Sequence, residues 1–431
     1  MLGINLDKAL SLCNLKETDI DNSVKKFNNN LLLFHFDGSK KALANYLYLL
    51  FETSNILILN PTNRSQFSKS FHSGLPYEFV VGLDNFPPGN KKYLDQGKTI
   101  LTDRLIRLII PTSGTTASPK LVCFSENKLY KAAKNISLSL SISKEDIACG
   151  YLPTNYGYGL SVLHSHLFSN SKFFLPEVNT KFIDLLMSSN CTNFYTVPSM
   201  LKYIDKFAEK ILLKSNAKKL CQAGGALSQS QVDFWNSVCI KNNIEFIRMY
   251  GQTECGPRIS CLRGKDYLNY PTSVGSAIPS VDIEISNSDG EILINSSMLS
   301  DGYFSNNSES WNIEELPTPF PTGDLGEIDN DGFLTILGRS SRFVKIQDIR
   351  LSLDEIEFVS QEITKVDIAA FQDQEHLAIV PSQNTKEDLV GFLSKNFGIP
   401  KRNIKLFSEK YFILNGNNKK DYPSMKSKIS S

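Results

Sequence analysis

Residues Pro111–Lys120 read P-T-S-G-T-T-A-S-P-K and directly follow the apolar run Leu105–Ile110. The hydroxyl side chains, a glycine that lets backbone N–H groups approach an anion, and the closing lysine together suit a polyphosphate. The Walker A spacing G-x-x-x-x-G-K-[ST] is missing here and elsewhere in the chain. We therefore interpret the stretch as a buried strand leading into a non-Walker phosphate loop. An ordinary Ser/Thr/Gly surface loop is the alternative.

On both sides of this loop, short strand-like runs alternate with helix-like runs, which favours an α/β fold. Ile56–Leu59 and Ile244–Met249 are apolar strand candidates, and the stretch after Ser228 has helical spacing of its apolar residues. From Val281 onward strand-like runs become dense, with Asp-Gly turns between them. We predict a β-rich subdomain there.

A small C-terminal α+β domain is predicted after this subdomain. Ser352–Glu355 has the capping-box pattern that opens a helix, and Thr385–Phe397 reads as a second amphipathic helix that Gly398 stops. Asn415–Ser431 is polar and rich in lysine. We predict an N-terminal domain at residues 1–338, with its β-rich subdomain at about 270–338, and a C-terminal domain at residues 339–431.

Composition excludes several classes of protein. The 431 residues include 46 Lys+Arg and 45 Asp+Glu, so the net charge of +1 argues against bulk nucleic-acid binding. No segment has the length and apolarity of a spanning helix, and the N-terminus lacks the apolar core of a secretory signal. The eight cysteines form no C-x-x-C pair. We expect free thiols in a cytoplasmic protein with no nucleic-acid partner and no membrane span.

Two further motifs carry residues suited to a nucleotide. In Tyr250-Gly251-Gln252-Thr253-Glu254 the aromatic ring is able to stack on a base, and the carboxylate is a ligand for Mg²⁺ beside phosphate oxygens. In Thr322-Gly323-Asp324 the carboxylate is able to accept both hydroxyls of a ribose, with Arg339 in support. A turn acid and a solvated arginine are the alternatives for Asp324 and Arg339.

Taken in order, these motifs resemble the adenylate-forming superfamily of acyl- and aryl-CoA synthetases, nonribosomal peptide synthetase adenylation domains and firefly luciferase. Pro111–Lys120 resembles the family's T-S-G-T-T-G-x-P-K, Tyr250–Glu254 its Y-G-x-T-E, and Thr322–Asp324 its T-G-D. Gly338–Leu351 resembles its G-R-x-x-x-x-x-K-x-x-G-x-R segment, and Asn417–Asp421 its N-G-K-x-D.

The resemblance covers about residues 105–422 and implies a fold and a reaction. The fold is a large N-terminal α/β portion with a β-rich subdomain, followed by a small mobile C-terminal lid. ATP and a carboxylic acid give an acyl-adenylate and pyrophosphate with Mg²⁺. A thiol, either coenzyme A or the phosphopantetheine arm of a separate carrier protein, then takes the acyl group. The alternatives are an amine or hydroxyl acceptor, or a nucleotide-binding pseudoenzyme.

The resemblance also implies roles for individual residues. Lys419, Thr253 and Glu254 are the catalytic candidates, with Glu254 as the Mg²⁺ ligand and Ser341 at the hinge. The implied acyl pocket contains Tyr156, Gly157, Tyr158 and Gly225. The implied ATP site contains Thr112, Ser113, Gly114, Thr115, Thr116, Lys120, Gly224, Tyr250, Gly251, Gln252, Asp324, Ile336 and Arg339.

The sequence departs from the family at several positions. Ala117, Asp348 and Asn418 stand where the family usually has glycine, and Asp348 makes thiol transfer less secure than adenylation. Gly157 stands where amino-acid-activating members place the aspartate that holds the α-ammonium, so we expect an acid other than an α-amino acid. The start of the N-terminal domain is shorter than in typical members. His164 and His166 are assigned no role.

Overall fold

The computed structural model describes residues 2–60, 75–82, 94–112, 120–306, 310–346, 349–385, 387–414 and 420–430. The chain divides into two compact units. The first contains Met1–Glu284, Leu293–Phe320 and Ile328–Thr335, and the second contains Ile285–Ile292, Pro321–Glu327 and Ile336–Ser431. The domain boundary between residues 338 and 339 stays a prediction.

The elements of the chain alternate between strands and helices, as predicted. The strands are β1 (Leu31–His35), β2 (Ile56–Asn60), β3 (Phe79–Val81), β4 (Ile106–Thr112), β5 (Lys120–Ser125), β6 (Ile147–Cys149), β7 (Lys172–Phe174), β8 (Asn193–Thr196), β9 (Lys219–Gln222), β10 (Glu245–Tyr250), β11 (Ser260–Leu262), β12 (Ser276–Ala277), β13 (Val281–Ile285), β14 (Glu291–Ser296), β15 (Gly302–Asn306), β16 (Trp311–Glu314), β17 (Phe320–Ile328), β18 (Leu334–Arg339), β19 (Phe343–Ile346), β20 (Ile349–Ser352), β21 (Ile368–Asp373), β22 (His376–Pro381) and β23 (Ile404–Leu406). The α-helices are α1 (Leu6–Leu12), α2 (Lys40–Phe51), α3 (Leu94–Asp103), α4 (Glu126–Ser139), α5 (Gly157–Phe168), α6 (Phe182–Ser188), α7 (Pro198–Ile204), α8 (Ala208–Leu213), α9 (Gln229–Lys241), α10 (Leu353–Thr364), α11 (Leu389–Phe397) and α12 (Tyr422–Ser430).

One sheet of the first unit contains the strands around the predicted phosphate loop. Among the described residues its order is β16-β15-β5-β4-β2-β1-β3. Strands β4 and β5 are antiparallel with Thr112 opposite Lys120, so the loop between them connects the two strands of a hairpin. The apolar residues of β4 bury one end of that hairpin in the sheet core. Residues 113–119 lie outside the described residues.

A second sheet of the first unit contains the strand before the Y-G-x-T-E motif. Among the described residues its order is β12-β11-β10-β9-β8-β6-β7, with β10 parallel to β9 and antiparallel to β11. Helix α9 begins where predicted, because Ser228 and Gln231 form a capping box. Trp235 of this helix is fully buried in the same core as Phe194 and Phe246.

Helix α5 is buried nearly all around, which explains its two histidines. His164 Nε2 lies 2.8 Å from Tyr46 Oη, and His166 bonds Ser171 Oγ at 2.6 Å and Tyr195 Oη at 2.9 Å. Burial lowers the pKa of His164 to about 4 and the pKa of His166 to about 3. Both histidines are neutral, hydrogen-bonded core residues.

The dense strands after Val281 include a four-stranded sheet among the described residues, in the order β13-β14-β17-β18. Further along, Ser352 Oγ accepts from the backbone N–H of Glu355 at 3.2 Å and caps α10, as predicted.

Two features of the C-terminal region differ from the predictions. Helix α11 begins at Leu389 rather than Thr385, because the side chain of Asp388 caps it by accepting from Gly391 N at 2.8 Å. The lysine-rich end of the chain forms α12, which the sequence analysis did not predict, and Met425 of that helix is fully buried. Gly398 ends α11 with φ +69°, as predicted.

Across the part of the chain that the structure describes, no helix combines the length and the apolar character needed to cross a bilayer.

Candidate active site

A tyrosine links the phosphate-loop lysine to the carboxylate of the Y-G-x-T-E motif. Lys120 is the first residue of β5, and Tyr303 lies on the neighbouring strand β15. The Nζ atom of Lys120 lies 4.5 Å from the centre of the Tyr303 ring. The Tyr303 hydroxyl donates to Glu254 Oε1 at 3.1 Å. The fold therefore brings Lys120 to the face of one aromatic ring and Glu254 to the hydroxyl of the same ring.

The ionisation of this group is fixed by its surroundings. Burial and the nearby charge of Glu254 raise the pKa of Tyr303, so its hydroxyl keeps its proton and serves as a donor. Lys120 itself is exposed. A cation over the face of a neutral ring and a carboxylate at its hydroxyl suit a phosphate chain and its counterion.

Tyr303 was not identified from the sequence, and it follows Gly302 at the start of β15. Gly302 has φ +130°, and a Cβ at this position would lie 2.3 Å from the carbonyl oxygen of Glu314. Only glycine fits there. The signal for Tyr303 was thus the required glycine beside it.

The Y-G-x-T-E motif forms a tight turn at the end of β10. Tyr250 is the last residue of that strand, and Thr253–Cys255 form one 3₁₀ turn. A Cβ on Gly251 would lie 2.3 Å from the carbonyl oxygen of Pro257, so the turn needs glycine. Gln252 Nε2 donates to Tyr250 Oη at 3.5 Å. The turn holds Thr253 and Glu254 at the carboxyl end of a parallel strand, the usual place for ligands in α/β sheets.

The predicted acyl-pocket residues lie beside this turn. Gly157 is the first residue of α5, after Tyr156 at its N-cap, and a Cβ on Gly157 would lie 3.0 Å from Thr253 Oγ1. A Cβ on Gly224, which has φ +79°, would lie 4.0 Å from Tyr158 Cδ1. The structure thus brings Gly157, Tyr158, Gly224 and Thr253 together.

Two of these residues are held by backbone groups. The Tyr158 hydroxyl donates to the carbonyl oxygens of Thr196 at 3.3 Å and Cys221 at 3.4 Å, and burial raises its pKa. The carbonyl oxygen of Gly225 accepts from Gln222 Nε2 at 2.8 Å. Tyr158 therefore presents its ring, rather than its hydroxyl, to its neighbours.

Arg258 was not identified from the sequence. Its guanidinium lies 4.3 Å over the ring of Tyr158, and the residue is only 2% exposed. The available signal was a charged residue four positions after Glu254, two positions before strand β11.

In the second unit the structure brings Asp324 and Arg339 together. Arg339 Nε lies 3.3 Å from Asp324 Oδ1, with the carboxylate buried and the arginine exposed. The Thr322 hydroxyl accepts from the backbone N–H of Asp324 at 3.1 Å and fixes the T-G-D turn. Ile336 lies half-buried on β18. The predicted ribose carboxylate and its supporting arginine are therefore neighbours.

The hinge candidate Ser341 is exposed in a 3₁₀ turn, next to a buried ionic cluster. In that cluster Glu357 pairs with Arg342 at 2.5 Å, and it also pairs with Lys420 and accepts from the hydroxyl of Tyr422. Lys420 is thus a structural residue of the second unit.

The remaining sequence predictions lie outside the described residues. These are Ser113, Gly114, Thr115 and Thr116 of the phosphate loop, Lys419, and the departures Ala117, Asp348 and Asn418.

The residues present fit a nucleotide-bound Mg²⁺. Within the described ranges, no group of three or more His, Cys, Asp or Glu side chains is arranged to hold a metal ion. Mg²⁺ bound with a nucleotide takes most of its oxygen ligands from phosphates and water and needs only one or two carboxylates. Glu254 is able to supply that carboxylate.

Known proteins share both the sequence pattern and the fold of this chain. The family model described as AMP-binding enzyme matches residues 71–304. A 2-succinylbenzoate–CoA ligase from Listeria innocua is 26% identical over 341 residues, which is 78% of this chain and 68% of that protein. A 2-succinylbenzoate–CoA ligase from Listeria monocytogenes is 28% identical over 303 residues, covering 70% of this chain and 62% of that protein.

Among solved structures, O-succinylbenzoate coenzyme A synthetase from Bacillus subtilis, in complex with ATP and magnesium ion, superposes with a TM-score of 0.74. The identity is 19%, over 98% of this chain and 92% of that chain. The predicted superfamily and the predicted adenylate-forming α/β fold are confirmed.

Proposed function

Because this chain belongs to the AMP-binding enzyme family, we propose that it is an AMP-forming acid–coenzyme A ligase. It activates a carboxylic acid with ATP and then transfers the acyl group to the thiol of coenzyme A. The observation that carries this proposal is the Lys120–Tyr303–Glu254 arrangement, with Lys120 over the ring and Glu254 hydrogen-bonded to the hydroxyl.

The first step joins two anions, so its main physical problem is charge. A carboxylate oxygen of the acid attacks the α-phosphorus of ATP, a new O–P bond forms, and the bond to the β-phosphate breaks to release pyrophosphate. Catalysis needs alignment of the reactants and stabilisation of the negative charge. Bound Mg²⁺ neutralises phosphate charge.

Each residue of the candidate site in the first unit has a separate role in binding ATP and Mg²⁺. Lys120, with the loop before it, binds the terminal phosphates, and Glu254 supplies a metal ligand. The Thr253 hydroxyl donates to the α-phosphate, and Tyr250 lies against the adenine. Tyr303 keeps Glu254 oriented through its hydroxyl, which is a positioning role.

The residues of the second unit bind the ribose and neutralise the remaining negative charge. Asp324 accepts hydrogen bonds from the ribose hydroxyls, and Arg339 orients that carboxylate through their ion pair. Lys419 cancels charge between the acid and the nucleotide. The division into residues 1–338 and a lid at 339–431 hinged at Ser341 is part of this proposal.

In the second step the thiol sulfur attacks the acyl carbon of the adenylate. A C–S bond forms, the C–O bond to the phosphate breaks, AMP leaves, and the thiol proton passes to solvent. Coenzyme A is the proposed acceptor because the named relatives are CoA ligases. A separate carrier protein is not needed.

The first candidate for the acid is 2-succinylbenzoate, the acid in the names of both Listeria relatives. Gly157 offers no carboxylate for an α-ammonium group, which supports an acid other than an α-amino acid. The eight cysteines carry free thiols, which suits a cytoplasmic enzyme.

The proposal is tested by pyrophosphate release with ATP and Mg²⁺, using hydroxylamine to trap the adenylate. The acids are 2-succinylbenzoate, fatty acids, hydroxy acids, aryl acids and amino acids. We expect hydroxamate from an aryl dicarboxylic acid, and a thioester when coenzyme A replaces hydroxylamine. Pyrophosphate release without any thioester would instead favour an amine or hydroxyl acceptor. No pyrophosphate release with any of the acids would favour a pseudoenzyme.

A further inference from the structure

Arg258 is a buried cation whose hydrogen bonds are incomplete. Its Nε donates to Met249 Sδ at 3.2 Å, and its Nη1 donates to the carbonyl oxygen of Pro257 at 2.7 Å. Its Nη2 is buried and has no hydrogen-bond partner among the described residues. None of the contacts named for Arg258 is with a carboxylate.

Burial of this guanidinium costs free energy unless an anion accepts its remaining hydrogen bond. A guanidinium keeps its charge in proteins, so burial cannot be relieved by loss of a proton. A buried charge without a partner costs several kcal/mol. A planar guanidinium with an open donor matches the two oxygens of a carboxylate.

The place of Arg258 identifies the anion. Its guanidinium stacks on Tyr158, a predicted acyl-pocket residue whose ring also lies near Gly224, a predicted ATP-site residue. A Cβ on the adjacent Gly157 would meet Thr253 on one side and Pro257, the residue before Arg258, on the other. Thr253, a predicted adenylation residue, and the residue before Arg258 therefore both pack against the start of α5, where Tyr158 lies under the guanidinium.

The N-terminus of α5, which lies near Pro257, adds to the positive electrostatic potential in this region. Gly157 is the first residue of a twelve-residue helix, and the N-cap residue Tyr156 makes no side-chain hydrogen bond to the helix. Unpaired N–H groups at a helix N-terminus favour a negative group nearby. The Tyr158 hydroxyl is held by two carbonyl oxygens, so the ring forms a wall and the guanidinium remains the donor.

We propose that Arg258 is a specificity-determining residue that binds a second carboxylate of the acid, distant from the carboxylate that is adenylated. The substrate class is thus a dicarboxylic acid, a class that includes 2-succinylbenzoate. The inference rests on the proposed ligase function and adds to it the residue that selects the substrate.

Arg248 on β10 provides a matched control, since it is also a buried arginine and lies ten positions before Arg258. Its Nε likewise lacks a partner, but its Nη2 donates to the carbonyl oxygens of Pro271 and Ser273. Its aromatic neighbour is Tyr267, which is not a predicted pocket residue.

The experiment compares pairs of acids that differ only by one carboxylate, on aromatic and aliphatic skeletons. For 2-succinylbenzoate, two analogues each lack one carboxylate, and the analogue that is adenylated identifies the reacting group. The readout is the ratio of kcat/KM for the dicarboxylic acid to kcat/KM for its monocarboxylic partner. Wild-type protein is expected to favour the dicarboxylic acid by about 10²- to 10³-fold.

Arg258→Met should reduce this ratio to near one, mainly through KM, and Arg258→Lys should leave an intermediate ratio. Arg248→Met should leave the ratio unchanged even if it lowers the melting temperature. Equal losses for both acids in Arg258→Met, or a wild-type ratio near one, would overturn the inference while leaving the ligase function intact. If Arg258→Met does not fold, an Arg258→Lys ratio equal to wild type overturns it. Absence of adenylation with every acid would overturn the ligase function and this inference with it.

Discussion

Two arginines, one in each unit, lie over tyrosine rings. They differ in whether a carboxylate of the protein pairs with the guanidinium. Arg258 lies 4.3 Å from the ring centre of Tyr158, and Arg342 lies 4.2 Å from that of Tyr422. Arg342 also donates to Asp354 at 2.7 Å and pairs with Glu357, whereas the contacts of Arg258 include no carboxylate.

The difference separates structural charge from functional charge. Where the fold supplies the counterions, as around Glu357, the charges hold the second unit together. Where a guanidinium nitrogen is left without a partner among the described residues, beside a predicted pocket residue, as in Arg258, or where Lys120 lies over the face of the Tyr303 ring and Glu254 accepts from its hydroxyl, we interpret the charges as placed for ligands. The following predictions test this distinction.

The largest effect is expected from breaking the structural cluster. Glu357→Leu leaves Arg342 and Lys420 largely buried without their shared carboxylate, so we expect the free energy of unfolding to fall by about 3–5 kcal/mol. Urea denaturation followed by circular dichroism measures this. Arg339→Gln, at an exposed ion pair, is the control and should cost about 1 kcal/mol or less. Equal costs for the two variants would remove the distinction.

The functional cluster should show the opposite behaviour. Lys120→Ala and Glu254→Gln are expected to lower kcat/KM for adenylation by about 10²- to 10³-fold, comparable to loss of one transition-state donor. Because Lys120 is exposed, the free energy of unfolding of Lys120→Ala should stay within about 0.5 kcal/mol of wild type. Pyrophosphate release and urea denaturation measure the two effects. A loss of stability without a loss of rate would contradict the assignment.

Adjacent lysines extend the test to the C-terminal motif. Lys419→Ala is expected to slow adenylation by about 10²- to 10³-fold while sparing thioester formation from a supplied adenylate. Lys420→Ala removes a partner of Glu357 and should lower stability instead. The two half-reactions are measured separately. Equal losses in both half-reactions for Lys419→Ala would exclude its proposed role.

Lowering the pH should destabilise the first unit, because its buried histidines His164 and His166 are neutral in the folded protein. The pKa values of His164 and His166 are lowered from 6.5 to about 4 and about 3, so the unfolded chain binds these protons first as pH falls. Their stabilising contribution is complete above about pH 6.5 and is lost as pH falls toward 4 and then 3. The free energy of unfolding of the wild-type protein should fall between pH 7 and pH 4. The free energy of unfolding of His166→Gln should fall less steeply over the same range. An identical slope in the variant would contradict the assignment.

The smallest effect is expected from the positioning hydroxyl. Tyr303→Phe removes the hydrogen bond to Glu254 and keeps the ring beside Lys120, so we expect a loss of about 3- to 10-fold in kcat/KM. Tyr303→Leu, which also removes the ring, should lose more. A Tyr303→Phe loss as large as that of Glu254→Gln would show that the hydroxyl does more than orient the carboxylate.

Sequence predicted the parts of this molecule that depend on local signals. The helix after Ser228, the cap at Ser352 and the stop at Gly398 are set by residues within a few positions, and the structure confirms them. The start of α11 was misplaced because Asp388 competes with the earlier Thr385 as a cap. One capping hydrogen bond decides such a boundary.

The site contacts depend on residues distant in the chain, which sequence patterns do not reveal. Tyr303 lies beside Lys120 because β15 pairs with β5, and it reaches Glu254 because the backbone N–H of Ser300, just before β15, donates to the carbonyl oxygen of Glu254 at 2.8 Å. Arg258 reaches Tyr158 because α5 starts beside the turn after β10. The motifs predicted which residues carry charge in the active site. Only the packing showed which charges lack a counterion within the fold.

The central claim, that the acid is activated as an adenylate and passed to a thiol, is tested most directly with oxygen-18. The acid carries oxygen-18 in the reacting carboxylate and is incubated with ATP, Mg²⁺ and coenzyme A, and the products are analysed by mass spectrometry. The account predicts that AMP gains one labelled oxygen and that an acyl-CoA forms. Label in inorganic phosphate with ADP as the nucleotide product, or unlabelled AMP, would contradict it.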